Sequence, residues 1–184
     1  MPGRCDNASA GILIRDDHDR YLMFDRNTLP HGCAPCAGHV FDEHASYPDA
    51  ARAEVAEEVG LAVEHLTSLP AGGWRDNRCN RRPGRLGVGH EWRIYQAEVS
   101  GELNPSPRET RNVRWLTLAE IQALAGRTAA HASGLVSAAE FAADPGIEPV
   151  WVRSLTDLHL ITMAAGDLEA IERVACHGGH QLPR

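Results

Sequence analysis

Glu54, Glu57 and Glu58 lie in the stretch Pro48-Asp49-Ala50-Ala51-Arg52-Ala53-Glu54-Val55-Ala56-Glu57-Glu58-Val59-Gly60-Leu61. Residues three and four apart are neighbours on a helix, so Glu54 shares a surface with Glu57 and Glu58. Like charges this close repel unless solvent, a basic neighbour or a divalent cation offsets them. Magnesium takes hard oxygen ligands and keeps several waters, which suits a position between carboxylates and a substrate phosphate. There it neutralises diphosphate charge and activates a water. The bland reading is a solvated acidic face of a helix.

Other residues could join such a site. The segment from Gly72 to Arg85 is the densest positive charge in the chain and contains Trp74, Arg75, Arg78, Arg81 and Arg82. Arginine forks suit phosphate oxygens, and a tryptophan can stack on a base. The alternative is a solvated loop. Glu91 and Glu109 are candidate carboxylates from outside the helix. Cys33-Ala34-Pro35-Cys36 is a C-x-x-C, and Cys79 and His90 could in principle complete a zinc set. Ordinary buried or loop thiols are the competing reading.

The glutamate stretch resembles the second half of the Nudix box, G-x5-E-x7-R-E-U-x-E-E-x-G-U with U aliphatic. Glu54, Val55, Glu57, Glu58, Gly60 and Leu61 stand at matching positions. The first half departs from the pattern. Ala53 stands where the box has arginine, with Arg52 one residue early, and Ala45 stands where it has its first glutamate. Gly38 lies one residue too far from Ala45, so the loop between them is enlarged. The resemblance implies metal binding and base-related roles for Glu54, Glu57 and Glu58, with Mg²⁺ or Mn²⁺ as cofactor. In that family the arginine helps hold the glutamate helix and its loop. Arg52 points about 100° away from position 53 and cannot simply replace it. Gly38, His39, His44 and Arg52 are the residues expected to support the loop, with Asp42 and Glu43 as further candidate polar groups. Cys36-Ala37-Gly38-His39 also resembles the Cys-Gly-His segment of type I isopentenyl diphosphate isomerases, which share the Nudix fold. That resemblance implies Cys36 and Glu91 as an acid–base pair and His39 as a metal ligand.

The elements that must position these residues follow from the pattern. Ser9–Arg15 and Tyr21–Arg26 read as strands around a turn at Asp16–Asp19, which predicts a hairpin. A loop over 27–37 and a short strand over 38–41 precede the glutamate helix, expected from Asp49 to Val59 with Ser46 or Asp49 as N-cap. Strands are expected over 61–69, 91–99 and 112–116, with an irregular arginine- and glycine-rich segment over 71–89. Thr117 caps a helix to about Ala125. Three more helices are expected over 137–143, 154–164 and 167–175, with Pro145 and Pro149 as breaks. This order gives a mixed α/β domain. The resemblance makes it a Nudix-like α/β/α sandwich around a mixed sheet, over 1–126. Residues 127–184 form a helical extension on the same domain or at a homodimer surface.

The chain has 184 residues, enough to bury a core, and a net charge of −7, which argues against binding nucleic acid through a basic surface. All 18 basic residues are arginine, so no Schiff-base or P-loop lysine is available. The amino terminus lacks a signal-like apolar run and no stretch approaches membrane-spanning length, so a soluble cytoplasmic protein is expected. Five cysteines, an odd number, do not suggest a secreted disulfide scaffold. The expected function is a Mg²⁺-dependent hydrolase cleaving a diphosphate linkage in a nucleoside diphosphate derivative, a small phosphorylated substrate. The alternative is a Nudix-fold protein that binds such a ligand with weak or no catalysis. An isomerase-like enzyme is the third reading.

Overall fold

A computed structural model describes residues 3–177. A four-stranded mixed sheet has the order β4-β1-β6-β5, formed by Cys36–His39, Ala8–Ile14, His90–Ser100 and Ala62–Arg75. The β1–β6 pair is parallel and the other two are antiparallel. A second sheet, β3-β2-β7, joins Cys33–Ala34, Tyr21–Arg26 and Thr110–Leu116, all antiparallel. The expected hairpin therefore forms at its turn but does not continue along the two strands. β1 and β2 belong to different sheets and pair only at the turn end, through the antiparallel Arg15–Tyr21 bridge and the Asp16 N–H donating to the Arg20 carbonyl at 2.9 Å. Both strands are almost wholly buried, so each faces apolar layers on two sides instead of alternating towards water. Pro35 separates β3 from β4, where the chain passes from one sheet to the other. Proline has no N–H to give a ladder.

Helix α1, Tyr47–Val59, packs on β1 and β4. Ser46 caps it, accepting from the Asp49 N–H at 3.3 Å, and Pro48 lies in its first turn. Gly60 ends it with φ 75°, and a side chain there would also strike Asn104. Ala50, Ala51, Val55 and Val59 face a core made with Ile12, Ile14, Phe24, Val40 and Tyr95. Fully burying one such valine contributes roughly 1.5–3 kcal/mol.

The second core lies on the opposite side of β1. Helix α2, Leu118–Ala132, begins with a Thr117–Glu120 capping box and continues through Gly126. The expected end at Ala125 is overridden by tertiary contacts. Ala125 and Thr128 are buried, and the Thr128 hydroxyl donates to the Ile147 carbonyl at 2.7 Å. Helices α3, Ala138–Ala143, α4, Pro149–Asp157, and α5, Ala165–His177, follow. The expected helix over 154–164 is corrected: Pro149 starts α4 rather than breaking it. Proline suits the first helical turn, where its missing N–H costs nothing. Trp151, Val152 and Leu155 of α4 share one core with Ile94, Ile121 and Ile171. Trp151 stands edge-on to Trp92 at 5.6 Å and covers Gly11, where a β-carbon would collide with it. Residues beyond 126 thus complete the core that β1 and β6 begin, and the last part of the expected extension, from 178, lies outside the described residues. Among the described residues no helix is long and apolar enough to cross a membrane.

Candidate active site

Glu54 and Glu58 project from α1 towards β4. Glu58 is buried and accepts from the Ala37 N–H at 3.0 Å. Glu54 lies against Gly38, and a β-carbon at that position would overlap its carboxylate. Burial pushes the Glu54 carboxyl up to about 7, helped by the negative charges of Glu57, Glu109 and Glu43. Burial also drives Glu58 well above the usual carboxylate range, with Glu54 adding to it. Glu57 is exposed on the same helix.

The cation facing these carboxylates is Arg26, at the end of β2. Its positive charge favours the ionised forms of Glu54 and Glu58. Arg26 also pairs with the buried Glu148 at 2.9 Å. Nothing local to Arg26 in the sequence marked it, because its partners lie in α1 and at position 148. Asp6 is a second residue the sequence did not flag. Its Oδ2 accepts from the Val40 and Phe41 N–H groups at 3.0 and 2.7 Å, holding the start of the enlarged loop.

Of the two outlying glutamates, Glu109 is the one whose charge reaches Glu54 and Glu58. The loop before it is tied to the end of α1: Ser106 N–H donates to the Glu58 carbonyl and Asn104 N–H to that of Val59, both at 2.9 Å. Glu91 sits elsewhere. It is level with Ala8 on β1, whereas Cys36 is level with Ile12. Four residues along a strand are about 13 Å. The Cys36–Glu91 pair implied by the isomerase resemblance is therefore not formed; Cys36 is buried beside Glu58.

Several expected supports are placed differently. Arg52 is exposed and donates to the Val63 carbonyl at 2.6 Å, tying α1 to β5 rather than to the loop. His44 contributes a backbone turn, its N–H donating to the Val40 carbonyl at 3.0 Å. His39 lies beside His90, its ring 5.2 Å away, and beside Cys5.

The arginine segment is partly strand and is largely occupied. β5 runs through Trp74 and Arg75, where irregular chain was expected. The Trp74 indole donates to Asp76 at 2.7 Å. Arg75 pairs with Asp157 of α4 at 2.8 Å, and Arg81 pairs with Asp42. The Arg82 and Arg78 backbones are fixed to Gly3 and Ala175. Cys33, Cys36, Cys79 and His90 do not come together as a zinc set, and Cys33 and Cys36 are buried free thiols. Cys33 is buried near Asp25 and Arg114, and Cys36 faces the opposite core. Among the described residues, one set of three or more such groups has ligand atoms within 4.8 Å of one another: Cys5, His39, Cys79 and His90. The three box glutamates stand wider apart than that.

A cavity of about 400 Å³ opens next to Glu148, the partner of Arg26. Its lining includes Leu29, His31, Arg78, Phe141 and Val150, and it is mostly apolar. Among the described residues, the buried Nδ1 of His31 has no hydrogen-bond partner.

The comparisons with known proteins agree with this fold. The structure is similar to a MutT Nudix hydrolase from Burkholderia pseudomallei, with 24% identity and a TM-score of 0.50 over 61% of this chain and 84% of that one. A MutT protein from Methanosarcina mazei is similar at 17% identity and a TM-score of 0.49, over 67% and 83%. No curated protein matches the sequence significantly. The NUDIX domain model matches residues 6–137, well over half of the chain, and the chain belongs to the Nudix family.

Proposed function

We propose that this Nudix protein is a divalent-metal-dependent hydrolase of a diphosphate linkage in a nucleoside diphosphate derivative. The observation that carries the reading is the seating of Glu54 and Glu58 at β4, desolvated and mutually repelling, with Arg26 as the facing cation. The donors are hard carboxylate oxygens, the ligand type that Mg²⁺ and Mn²⁺ take together with several waters. Glu54, Glu57 and Glu58 would hold the ion, with Glu109 the outlying carboxylate within electrostatic reach. When bound, such an ion offsets diphosphate charge and lowers the pKa of a coordinated water.

The chain's own residues supply the rest. Where Glu57 and Glu58 alone hold the ion, Glu54, whose carboxyl burial raises to about 7, is placed to accept a proton from the attacking water. The positive charge of Arg26 favours the ionised form of Glu58, against the burial that raises its carboxyl. The cavity beside Glu148 is sized for the organic part of a substrate, and Arg78 at its wall can meet an anionic group. This assigns binding to the cavity rather than to Trp74, Arg75 and Arg81, which hold partners already.

A second reading is favoured by Ala53 and Ala45, which leave the box without its arginine and first glutamate. It is a Nudix-fold protein that binds such a ligand without cleaving it. One experiment separates the two. Purified protein with Mg²⁺ or Mn²⁺ is assayed against nucleotide sugars, dinucleoside polyphosphates, ADP-ribose and nucleoside triphosphates, with calorimetry in parallel. Turnover that Glu57→Gln removes supports the hydrolase. Tight binding with no turnover on any compound supports the binding protein.

A further inference from the structure

Cys5, His39, Cys79 and His90 come from four separate stretches of chain: the lead into β1, the last residue of β4, the segment between β5 and β6, and the first residue of β6. Their four ligand atoms all lie within 4.8 Å of one another. Cys5 Sγ is 3.1 Å from His90 Nε2 and 3.4 Å from His39 Nε2. A tetrahedral zinc has Zn–S of about 2.3 Å and Zn–N of about 2.0–2.1 Å, which sets neighbouring donors about 3.3–3.8 Å apart. The Cys5–His39 pair already falls in that range, the Cys5–His90 pair would open by a few tenths of an ångström, and every other pair starts within 4.8 Å.

The surroundings orient the donors. The Trp92 indole can only donate, so the Asn77 atom 3.1 Å from it is the amide oxygen. The same oxygen lies 3.0 Å from His90 Nδ1 and so accepts from that nitrogen. His90 therefore carries its proton on Nδ1 and presents the lone pair of Nε2 to Cys5. This is the outer-shell arrangement that fixes a metal-binding histidine. The Asn7 N–H donates to Cys5 Sγ at 3.3 Å, a contact suited to a thiolate. Asn77, His90 and Cys5 are all buried.

We propose that Cys5, Cys79, His39 and His90 form a four-coordinate structural zinc site distinct from the carboxylate site. Two thiolates balance the dication, and four protein ligands leave no open position for substrate, as in structural rather than catalytic zinc sites. The site fastens the segment between β5 and β6, which has little regular structure of its own, to three strands of the mixed sheet. Its ligand His39 directly follows Gly38, so the metal also anchors the end of β4 against which Glu54 rests.

The test begins with metal content. Protein expressed in zinc-supplemented medium and purified under reducing conditions without chelator should hold about one zinc per chain by plasma mass spectrometry. Replacement by Co²⁺ should give the visible ligand-field bands of a tetrahedral site and a near-ultraviolet thiolate-to-metal band. Cys5→Ser and Cys79→Ser should each lose the zinc, and Asn77→Ala should weaken its affinity about 10–100-fold. Cys33→Ala, Cys176→Ser and Glu57→Gln should keep it. Reduced wild-type protein that is folded yet takes up neither zinc nor cobalt overturns the proposal. So does zinc retained by the Cys5→Ser/Cys79→Ser double variant, or a cobalt spectrum lacking the thiolate band. The cobalt spectrum of the wild type decides the matter even where a variant fails to fold, and none of these readouts depends on hydrolytic activity.

Discussion

The carboxylate of Glu54 occupies the space that a side chain at Gly38 would need. Helix α1 and strand β4 thereby approach closely enough for the buried Glu58 to accept from the Ala37 N–H. The glycine of the box is thus a packing requirement for the glutamate sixteen residues later. Gly38→Ala should displace Glu54 and reduce metal-dependent turnover by at least about tenfold, a loss of roughly 1.4 kcal/mol or more of transition-state stabilisation. Steady-state kinetics with varied Mg²⁺ would check it; unchanged metal dependence would show that Glu54 does not act from this seat.

Glu54 makes stability depend on pH. Its folded-state pKa is raised from 4.5 to about 7, so the folded protein binds this proton more tightly than the unfolded chain does. The resulting stability is fully present below about pH 4.5 and is lost as pH rises through 7. A tenfold difference in proton affinity is worth about 1.4 kcal/mol, and partial solvent screening leaves an expected loss on the order of 2 kcal/mol. Glu58 acts in the same direction. Urea unfolding in magnesium-free buffer at about pH 5 and about pH 8 should reveal this contribution. Glu54→Gln should flatten it, and added Mg²⁺ should reduce it.

Glu58→Gln separates stability from chemistry. The amide oxygen can still accept from the Ala37 N–H, while the buried charge is gone. The metal-free variant should be as stable as the parent or more so, by about 1 kcal/mol. Turnover should fall about 10²-fold or more. A variant that loses both stability and turnover together would point to a purely structural Glu58, to be read from thermal melts beside rate assays.

Arg26 links the carboxylates to the far side of the core through Glu148. Glu148 is only 2% exposed, so removing its partner leaves a buried charge uncompensated. Arg26→Met should cost about 3–5 kcal/mol. Arg26→Met combined with Glu148→Leu should cost less than the sum of the single changes, which a double-mutant cycle by denaturant unfolding would measure.

Arg52, by contrast, bonds the Val63 carbonyl from an exposed position. Arg52→Ala should cost under about 1 kcal/mol and leave turnover within about twofold of the parent. A loss approaching that of Glu57→Gln would restore Arg52 to the role that its proximity to the box arginine position suggests.

The sequence by itself determined the elements whose signals are local. The Ser46 cap, Pro48, the i, i+3 and i, i+4 glutamates and Gly60 specify α1 within a single run of chain, and the capping box at Thr117 and Glu120 starts α2 in the same way. The family resemblance rested on that same local run. Tertiary structure decided what lies across the chain from it. Burial carried α2 past Ala125, turned Pro149 into the first turn of α4, and divided the expected hairpin between two sheets. It also put the charges of Arg26 and Glu109 within reach of Glu54 and Glu58, and set Cys5 and His39, rather than Cys33 and Cys36, beside Cys79 and His90. Spacing along the chain encodes contacts only within a helical turn or a strand pair. These partners come from separate elements, and strand register, helix packing and the loop contacts at the end of α1 bring them together.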